Sequence, residues 1–596
     1  MEHAMSIIVQ KFGGTSVADS GKILAAARKA IRAYNEGNQV VVVVSAMGKN
    51  TDRLVNLAKE ITEEPPAREM DMLLSTGEQV SVALVAMAVH SLGHEAISLT
   101  GAQIGIVTDS THTKARIRSI SSERIQQALD DGKIVIAAGF QGIDESFNIT
   151  TLGRGGSDTT AVALAAVLGA DSCEIYTDVD GIYTTDPRVV PEARRVTQIS
   201  YDEMLELASA GAGVMHNRSI EFAKKFSVPV HVRSSFSDNP GTMITTEPEA
   251  FSQPVCGAAM LKNEARLSVL GVPDRPGAAI TLFSKIAAKN VAMDMIVQNV
   301  GAGGRADISF TVFHDDLPKT LKAVEEAVWE LKAERYNYDD QVSKISVVGL
   351  GMATQTGVAE KMFRALGEKG INILMITTSQ IKISVLVARE NAADALRVVH
   401  QTFSLENEPP PAKAIGTGSG ERSRAVAAAD MVARMQGMEN LIITGIELDE
   451  SEARVTIVGV PDTPGLAAQV FEEIAAAGIL VDMIVQSDGR EGQANLSFTV
   501  PQGDLAKSID IATTLADRFG CQAPTSCPKV AKLIVSGIGM KSHTTVAIRT
   551  FQSLADVGIN IDMISTSEAQ INVVVDGQKG QNALKILQQE FADVMV

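Results

Sequence analysis

A long segment in the second half of this chain occurs twice. Residues 269–277 (VLGVPDRPG) resemble residues 458–465 (VGVPDTPG), and their closing glycines, Gly277 and Gly465, lie 188 positions apart. The same spacing relates three further pairs of stretches, which are 293–298 and 481–486 (MDMIVQ, VDMIVQ), 349–352 and 537–540 (GLGM, GIGM), and 370–373 and 558–561 (GINI in both). A constant offset over so many residues indicates a duplicated block.

Each block contains two related units. A weaker repeat of about 80 residues relates Gly277 to Gly357 and Ile296 to Ile376. Each unit follows the order strand, Gly/Pro turn, helix, strand, strand, helix, which is the ferredoxin-like βαββαβ pattern. The sequence therefore predicts four such units. Neighbouring units are able to exchange strands, so the sequence leaves their edges open.

The first half alternates buried strands with helices. Apolar runs at 6–10, 39–45, 134–140 and 174–176 are each followed by glycine or small polar residues, and helices are expected from near Ser20 and near Ser75. The run at 39–45 (QVVVVVS) is rich in β-branched residues, as in a strand buried on both faces of a parallel sheet. This pattern predicts an α/β domain with a mostly parallel sheet.

A glycine-rich stretch at 150–160 (TTLGRGGSDTT) precedes an apolar run that is typical of a helix. Its glycines let the backbone turn sharply and approach a ligand, and the first N–H groups of the helix face that loop. Arg154 is suited to a bidentate grip on a carboxylate, and Asp158 to orienting a cation or an ammonium group. The alternative is a plain glycine turn between a strand and a helix.

A second glycine turn follows the first strand, at 11–17 (KFGGTSV). Lys11 is placed to set an ammonium against phosphate oxygens, while the N–H groups of the residues at 13–15 hold the others. The stretch is not a Walker A loop, which needs Gly-Lys-Ser/Thr at the end of a longer loop. Glu78 is expected in the first turn of a helix, where it either complements the helix dipole or binds a substrate ammonium.

Composition excludes several classes of protein. A chain of 596 residues is too long for one hydrophobic core. Its net charge of −18 argues against nucleic acid as a partner. The sequence offers no disulfide framework and no zinc motif, because its cysteines are few and scattered, at positions 173, 256, 521 and 527. Apolar runs such as 80–89 are too short for a membrane span and the N-terminus lacks a signal-peptide pattern, which predicts a cytoplasmic protein.

The first 250 residues carry five motifs that resemble those of the aspartate kinase family. They are 11–16 (KFGGTS), Ser45, 77–78 (GE), 153–158 (GRGGSD) and 177–188 (TDVDGIYTTDPR). The resemblance implies the amino-acid-kinase fold and ATP-dependent phosphorylation of the aspartate side-chain carboxylate to 4-phospho-L-aspartate, the first step toward lysine, threonine and methionine. The repeated units resemble ACT domains, which bind amino acids. A kinase domain followed by four of them is similar to the cyanobacterial type of aspartate kinase.

The resemblance also implies roles for individual residues. The catalytic residues would be Lys11, Asp158 and Arg154. The residues implied for aspartate are Ser45, Thr51, Glu78 (for its ammonium), Phe140, Arg154 (for its α-carboxylate), Gly155, Gly156 and Ser157. The residues implied for the nucleotide are Lys11, Gly13, Gly14, Thr177, Asp178, Tyr183, Asp186 and Arg188. ATP and magnesium are the implied cofactors, although no residue cluster indicates magnesium ligands.

One position departs from the family pattern. Several relatives carry a second catalytic lysine near residues 211–216, where this chain has Gly213. The second cation of the site therefore has no assigned residue.

The ACT resemblance implies two sets of effector-binding residues, with lysine and threonine as the expected effectors. The first set is Asp274, Gly277, Ala278, Asp294, Met295 and Gln298 in the first unit, with Asn372 and Ile373 in the second unit. The duplicated set is Asp462, Gly465, Leu466, Asp482, Met483 and Gln486, with Asn560 and Ile561. In the alternative interpretation Asp294 and Asp482 cap strands, and the asparagines only form turns.

The expected domains are a kinase domain at 1–250, ACT domains at 262–340, 341–405, 440–528 and 529–596, and a Pro/Gly/Ser-rich linker at 406–439. The expected partners are L-aspartate, the two effectors and a second copy of the chain in a homodimer, with neither nucleic acid nor membrane.

Other functions remain open at this stage, because the fold alone does not fix the substrate. One is a kinase for glutamate or acetylglutamate, although Glu78 with Arg154 favours an amino acid with free ammonium and carboxylate groups. Another is an amino-acid sensor with an inert kinase domain, against which the intact Lys11, Arg154 and Asp158 argue. A bifunctional kinase–dehydrogenase is disfavoured because no GxGxxG-bearing βαβ domain follows the kinase.

Overall fold

The computed structural model describes residues 5–250, 253–300, 304–409, 437–488, 492–541, 543 and 545–595. Most of the expected linker, 410–436, lies outside these ranges. The described end of that expected linker does not behave as a free connector. Met438 is buried in the core of the first lobe, and Glu439 forms an ion pair with Arg218 at 2.6 Å.

The first lobe contains twelve strands and eight helices. They are β1 (Ile7–Phe12), α1 (Ser20–Asn35), β2 (Gln39–Val44), α2 (Asn50–Ile61), α3 (Ala67–Ser91), β3 (Ala96–Leu99), α4 (Gly101–Ile104), β4 (Ile106–Thr108), β5 (Ile117–Ile120), α5 (Glu123–Asp130), β6 (Ile134–Ala138), β7 (Gln141–Ile143), β8 (Ile149–Thr151), α6 (Gly156–Leu168), β9 (Ser172–Thr177), β10 (Gln198–Ser200), α7 (Tyr201–Ser209), α8 (Asn217–Phe226), β11 (Val230–Ser234) and β12 (Thr242–Thr245).

The main sheet of this lobe has eight strands in the order β10-β12-β11-β9-β1-β2-β6-β3. All neighbouring pairs are parallel except β11 with β12, which confirms the predicted mostly parallel sheet. Strand β1 lies inside the sheet, and the direction in which strands are added reverses at it. The earlier strands β2, β3 and β6 lie on one side of β1, and the later strands β9 and β11 lie on the other. In such sheets ligands bind at the carboxyl ends of the strands on either side of this reversal.

Strand β2 shows why the sheet is covered on both faces. Its valines alternate, so that Val40, Val42 and Val44 pack with helices α1 and α3, while Val41 and Val43 pack with helix α6 on the opposite face. Because side chains in a strand point alternately to the two faces, a run of consecutive valines has to be buried on both. A smaller sheet, β5-β4-β7-β8, carries the chain into the glycine-rich stretch.

Helix α3 differs from the prediction. It begins at Ala67 rather than near Ser75, and Glu78 lies in its middle. The polar residues that resembled a helix start are accommodated inside the helix, since Ser75 and Thr76 donate their hydroxyls to the carbonyls of Met72 and Leu73. The dipole and capping interpretation of Glu78 is therefore wrong.

Helix α3 is also the one helix among the described residues that is long and apolar enough to cross a membrane. More than half of its apolar window is buried in the lobe. A core helix passes the same length and composition test.

The second half contains the following elements. They are β13 (Gly257–Pro273), α9 (Ala278–Ala287), β14 (Met293–Val300), β15 (Arg305–Phe313), α10 (Leu317–Leu331), β16 (Arg335–Val348), α11 (Val358–Glu368), β17 (Met375–Ser379), β18 (Lys382–Ala388), α12 (Ala392–Thr402), β19 (Ile442–Asp449), β20 (Glu452–Pro461), α13 (Leu466–Ala476), β21 (Ile484–Asp488), β22 (Gln493–Pro501), α14 (Leu505–Phe519), β23 (Thr525–Cys527), β24 (Val530–Ile538), α15 (Thr545–Asp556), β25 (Met563–Thr566), β26 (Gln570–Asp576) and α16 (Gly580–Glu590). This order confirms four ferredoxin-like units.

The four units form one sheet of fourteen strands, and its pairings cross the boundary between the blocks. Strand β14 of the first unit pairs with β25 of the fourth, and β17 of the second pairs with β21 of the third. Thr377 and Ser565, which are related by the 188-residue offset, are hydrogen-bonded at 3.1 Å. The two blocks are therefore related by an approximate twofold axis, and each unit has its partner in the other block.

Strands are also exchanged between neighbouring units. Residues 257–261 of β13 pair with residues 344–348 of β16, and β19 pairs with β24. The edge strand of the second unit thus precedes the first unit in the chain, and the edge strand of the fourth unit precedes the third. The expected domain at 440–528 is wrong in this respect, because residues 442–449 complete the fourth unit.

Candidate active site

A nearly buried ion pair lies at the switch point of the main sheet. Lys11 is the next-to-last residue of strand β1, at its carboxyl end. Its ammonium contacts Asp158 of helix α6 at 2.6 Å, and the two side chains are 10% and 12% exposed. Strand β1 is fixed between β2 and β9, and α6 packs across the sheet. A buried ammonium needs a countercharge, and Asp158 supplies it and orients Lys11 where the strands end.

The turn after β1 is held tightly by its neighbours. A Cβ at Gly14 would lie 2.6 Å from the carbonyl oxygen of Ala46, so only glycine fits. Gly13 donates its N–H to the carbonyl of Tyr176 at 3.2 Å. This corrects part of the predicted phosphate cradle, because the N–H of Gly13 already has a hydrogen-bond acceptor in the chain. The N–H groups of Gly14 and Thr15 lie in the first turn of a short 3-10 helix, where N–H groups lack helical acceptors.

Glu78 reaches the same turn from helix α3. It is 4% exposed, and its Oε1 accepts a hydrogen bond from the N–H of Ala46 at 3.0 Å. Its Oε2 is buried and has no partner among the described residues. Burial raises the pKa of Glu78 to about 7, although the hydrogen bond from Ala46 lowers it. A buried carboxylate oxygen without a partner is suited to a substrate ammonium.

The glycine-rich loop adopts a conformation that needs its glycines. Gly153 and Gly155 have φ of 78° and 69°. A Cβ on Gly155 would lie 2.3 Å from the Cβ of His216, which packs on this loop. Arg218 donates to the carbonyl of Leu152 at 2.6 Å. The start of helix α8 therefore holds the loop in place.

Arg154, at the tip of this loop, is exposed and forms no ion pair among the residues that the structure describes. An unpaired guanidinium next to Asp158 is suited to a carboxylate ligand. The other residues predicted to bind aspartate surround the loop and the strand ends. Gly156 packs on Phe140 and Leu152, Ser157 packs on Gly139, Ser45 follows strand β2, and Thr51 lies in the first turn of helix α2.

The residues predicted to bind the nucleotide follow strand β9, next to β1. Thr177 ends the strand and donates to Asp178 at 3.2 Å, and the hydroxyl of Tyr183 donates to Asp180 at 2.8 Å. Farther along, Arg188 is 88% exposed and forms a two-pronged ion pair with Asp186. These residues lie at or beyond the carboxyl end of a central strand.

Two residues of this region escaped the sequence analysis. Asp71 of helix α3 is fully buried and accepts hydrogen bonds from His112, from the N–H of Thr113 and from Thr151. It ties the loop at 110–114 to strand β8 just before the glycine-rich loop. Asp71 is one of the acidic residues of a long, largely apolar helix, and nothing in the sequence marks it as a structural tie. His216 precedes helix α8, and nothing in its neighbourhood in the sequence points to the glycine-rich loop.

Gly213, near which the resemblance implied a second lysine, borders open space. Apart from its chain neighbours, no atom of the described residues lies within 4 Å of the position that its Cβ would take.

Twelve of the sixteen predicted effector residues line two open hollows. The first is lined by Asp274, Gly277, Ala278, Gln298, Asn560 and Ile561. The second is lined by Asn372, Ile373, Asp462, Gly465, Leu466 and Gln486. The expected pairing within a block is therefore wrong. The first unit faces the fourth, and the second faces the third, because β14 pairs with β25 and β17 pairs with β21.

Matching hydrogen bonds close both hollows. Asn560 donates to Asp274 at 2.6 Å and Asn372 donates to Asp462 at 2.8 Å. Gln298 donates to the carbonyl of Ile561 at 2.6 Å, and its Oε1 is buried without a partner among the described residues.

The remaining effector candidates lie elsewhere. Asp294 pairs with Lys344 and Lys541, and Asp482 pairs with Lys532. Although burial alone would raise it, Lys344 and Lys541 hold the pKa of Asp294 well below its usual range. Met295 and Met483 are buried in the apolar core between the blocks. Neither aspartate lines a hollow, so their recurrence reflects duplicated ion pairs to the buried lysines Lys344 and Lys532.

The chain matches two family models. The model of the amino acid kinase family matches residues 6–234, and the ACT domain model matches residues 345–403, 455–513 and 533–591. The first unit, at 262–340, follows the same order of strands and helices as the other three. The fold is therefore an amino-acid-kinase domain followed by repeated ACT domains.

Relatives and solved structures agree with these matches. The chain is 50% identical to an aspartate kinase of Stutzerimonas stutzeri over 404 residues, which cover 67% of this chain and 98% of that protein, and 49% identical to an aspartokinase of Geobacillus stearothermophilus over 405 residues, covering 68% and 98%. The aspartate kinase of Synechocystis is 41% identical, with 98% of both chains covered and a TM-score of 0.52. E. coli aspartokinase III in complex with aspartate and ADP is 25% identical, with 66% and 99% covered and a TM-score of 0.58. The chain belongs to the aspartate kinase family.

Proposed function

We propose that this chain transfers the γ-phosphoryl group of ATP to the side-chain carboxylate of L-aspartate. The observation that favours a free amino acid as substrate is the buried Oε2 of Glu78, which lacks a partner among the described residues and lies beside the turn that follows Lys11. In its ionised form this carboxylate is suited to a cation, and the ammonium of a free amino acid supplies one. Acetylglutamate has no such group. E. coli aspartokinase III, a structural relative, was solved with aspartate and ADP.

The reaction needs no general base. The aspartate side chain is ionised at neutral pH, so one of its oxygens attacks the γ-phosphorus directly while the bond to the β–γ bridging oxygen breaks, giving 4-phospho-L-aspartate and ADP. The chain has to hold two anions in line and neutralise their charge. Arg154 binds the α-carboxylate, Glu78 binds the ammonium, and the aspartate side chain then points toward Lys11.

Lys11 stabilises the charge that develops on the transferred group, and Asp158 fixes its ammonium. The N–H groups of Gly14 and Thr15 and the hydroxyl of Ser45 complete the cradle. Phe140, Gly155, Gly156 and Ser157 shape the aspartate side of the site together with Thr51. The nucleotide lies over Thr177 and Asp178, with Tyr183, Asp186 and Arg188 around it.

Magnesium belongs to this proposal as the charge partner of the ATP phosphates. Among the described residues, no group of three or more His, Cys, Asp or Glu side chains is arranged to hold a metal ion. The ion would therefore be held mainly by phosphate oxygens and water, which suits the few protein ligands that Mg²⁺ usually takes.

The two hollows in the second half are proposed effector sites for lysine and threonine. In each, an aspartate (Asp274 or Asp462) is placed for the effector ammonium, and the helix that begins after Gly277 or Gly465 presents N–H groups to its carboxylate. Effector binding would shift the equilibrium between active and inhibited arrangements of the kinase domain.

The proposal includes the division into a kinase domain and four ACT domains, in which each edge strand belongs to the unit with which it pairs.

A cytoplasmic homodimer is the proposed form of the protein. Helix α3 supports the dimer, because Met72, Val80, Leu84 and Met87 leave an exposed apolar stripe on one of its faces.

A substrate panel tests the function. Purified full-length protein is given ATP with aspartate, glutamate or acetylglutamate, and ADP release is measured together with trapping of the acyl phosphate by hydroxylamine. We expect turnover with aspartate only. Lys11→Ala serves as the control, since loss of one cation aimed at transition-state charge lowers kcat by about 10²- to 10³-fold. Turnover with glutamate instead, or none with any of the three, would refute the proposal.

A further inference from the structure

Four charged side chains form a seam between the kinase lobe and the ACT units, and three of them are buried, while the fourth, Lys541, is 26% exposed. The charged seam consists of Glu206 of helix α7, Lys382 of strand β18, Lys541 and Glu568. Lys382 contacts Glu206 at 2.7 Å and Lys541 contacts Glu568 at 2.6 Å. The N–H of Glu568 donates to Glu206 at 3.0 Å, which joins the two pairs. Glu206 is 1% exposed and Glu568 is 3% exposed.

Both hollows lead directly to this seam. Asn560 and Ile561 line the first hollow, strand β25 follows them, and Glu568 lies in the turn after that strand. Asn372 and Ile373 line the second hollow, strand β17 follows, and Lys382 begins the next strand. The connection between these two strands therefore occurs once in each block. In one block Glu568 contacts Glu206 from it, and in the other block Lys382 does.

On the kinase side, the seam reaches the glycine-rich loop through three consecutive residues. Asn217 donates its amide to Glu568 at 2.8 Å and to Ser209 at 2.7 Å. On one side of Asn217, His216 packs on Gly155. On the other side, Arg218 donates to the carbonyls of Leu152 and Ala115, each at 2.6 Å. A residue of the last ACT unit and the loop that carries Arg154 therefore hold the same start of helix α8.

The burial of the seam makes it a rigid connection. A buried charge that loses its partner is strongly destabilised, so each side chain of the seam has little freedom to move alone. Although burial opposes it, Asp294 and Glu568 raise the pKa of Lys541, which keeps this lysine charged. Glu568 is thus held by Lys541 of its own unit and by Glu206 of the kinase lobe. Its carboxylate in turn helps to hold Asn217 in place.

We propose that Glu568 is a positioning residue for the aspartate-binding loop at 153–158: by holding Asn217, it keeps His216 and Arg218 seated on that loop. This inference rests on the proposed function, since it assigns an effect on aspartate binding. The ACT half then contributes a residue to the geometry of the active site, and a shift of strand β25 at the first hollow is passed to Arg154.

The test measures kcat, the aspartate KM and the ATP KM of full-length variants. We expect Glu568→Ala and Asn217→Ala each to raise the aspartate KM about tenfold and to leave the ATP KM within about twofold of wild type, because the displaced loop carries Arg154 and not the nucleotide residues. The double variant should be no worse than the more affected single variant, because each single variant already breaks the contact between Asn217 and Glu568. In Glu568→Gln the amide oxygen still accepts from Asn217, and Lys541 keeps Asp294 as its countercharge. This variant should restore the aspartate KM to within about threefold of wild type.

Gln380→Ala is the matched control. Gln380 occupies the turn related to that of Glu568 by the 188-residue offset, and it is exposed. This variant should behave as wild type. A wild type that phosphorylates aspartate, with an unchanged aspartate KM in Glu568→Ala and Asn217→Ala, would overturn the inference and leave the proposed function intact. Additive losses in the double variant, or equal changes in both KM values with a lower Tm, would show a merely structural role and overturn it too. A wild type without aspartate turnover would refute the function itself.

Discussion

At the scale of single residues, the active site is defined by charges whose partners are incomplete. Glu78 has one buried oxygen with no partner among the described residues, and Arg154 is exposed with no counterion among them. Lys11 and Asp158, by contrast, neutralise each other. The first two are therefore suited to substrate recognition, and the last two to a fixed electrostatic environment for phosphoryl transfer.

Arg154→Ala is expected to raise the aspartate KM by about ten- to a hundredfold, because a charge-assisted hydrogen bond to the carboxylate contributes about 1.5 to 3 kcal/mol. The ATP KM and the Tm should stay unchanged, since the side chain is exposed. Arg118→Ala, which removes another exposed arginine of the same lobe, is the control in steady-state assays. An unaltered aspartate KM in the Arg154 variant would mean that Arg154 does not bind the substrate.

Glu78 should impose a pH dependence on aspartate use. Only its ionised form binds an ammonium, so kcat/KM for aspartate should rise up to tenfold per pH unit below about pH 7 and level off above it. In Glu78→Gln this limb should vanish at a lower overall rate. The measurement is a pH profile of kcat/KM for both proteins at saturating ATP.

Ionisation of Glu78 should lower the free energy of unfolding, although it favours aspartate binding. The pKa of Glu78 is higher in the folded protein than in the unfolded one, so the folded state binds the extra proton between about pH 4.5 and 7. Relative to Glu78→Gln, the wild type should therefore lose about 3 kcal/mol of unfolding free energy as the pH rises through that window. Denaturant titrations at several pH values check this, and a constant difference would argue against a buried titrating Glu78.

At the scale of elements, the glycine-rich loop depends on the contact between Gly155 and the start of helix α8. The loop is short and its glycines have positive φ, so its shape is set by what packs on it. His216 occupies the space that a side chain at 155 would need.

Gly155→Ala is therefore expected to lower kcat/KM for aspartate by about 10²-fold, because displacement of positioning groups by about 1 Å has effects of that size. Gly37→Ala is the control. Gly37 also has a positive φ, of 92°, but no atom lies within 4 Å of its Cβ position, so it carries the backbone strain without the clash. Equal kinetics for the two variants would show that the contact with His216 does not position the loop.

At the scale of the whole molecule, the duplicated blocks face each other rather than standing in series. The central sheet joins the first unit to the fourth and the second to the third, and four methionines (Met295, Met375, Met483 and Met563) share the core between them. Both hollows are thus built from residues of both blocks, so neither block alone forms a complete hollow.

This pairing predicts how effector variants combine. Asp274→Ala and Asn560→Ala should each remove the same one of two lysine or threonine sites in calorimetric titrations, and their double variant should keep one site. Asp274→Ala with Asn372→Ala should remove both, because these residues line different hollows. If the combination of Asp274 with Asn372 left one site intact, the hollows would be paired within a block after all.

The sequence by itself determined the local chemistry and the number of units. The valines of β2 require burial on both faces of a sheet, the 188-residue offset requires two equivalent blocks, and the residues from Lys11 to Asp158 carry the pattern of the family in order. These features depend on side-chain periodicity, turn geometry and residue type, which act over short stretches of chain.

Only the tertiary structure decided which distant residues meet. Asn560 rather than Asn372 faces Asp274, Glu78 lies in the middle of a helix, and Asp294 belongs to a buried ion pair instead of a hollow. Equivalent units have equally complementary surfaces, so their sequences cannot say which copy pairs with which. Asp71 looks like an ordinary polar residue until the kinase lobe folds around it, and Asn217 and Glu568 meet only when that lobe packs on the ACT units.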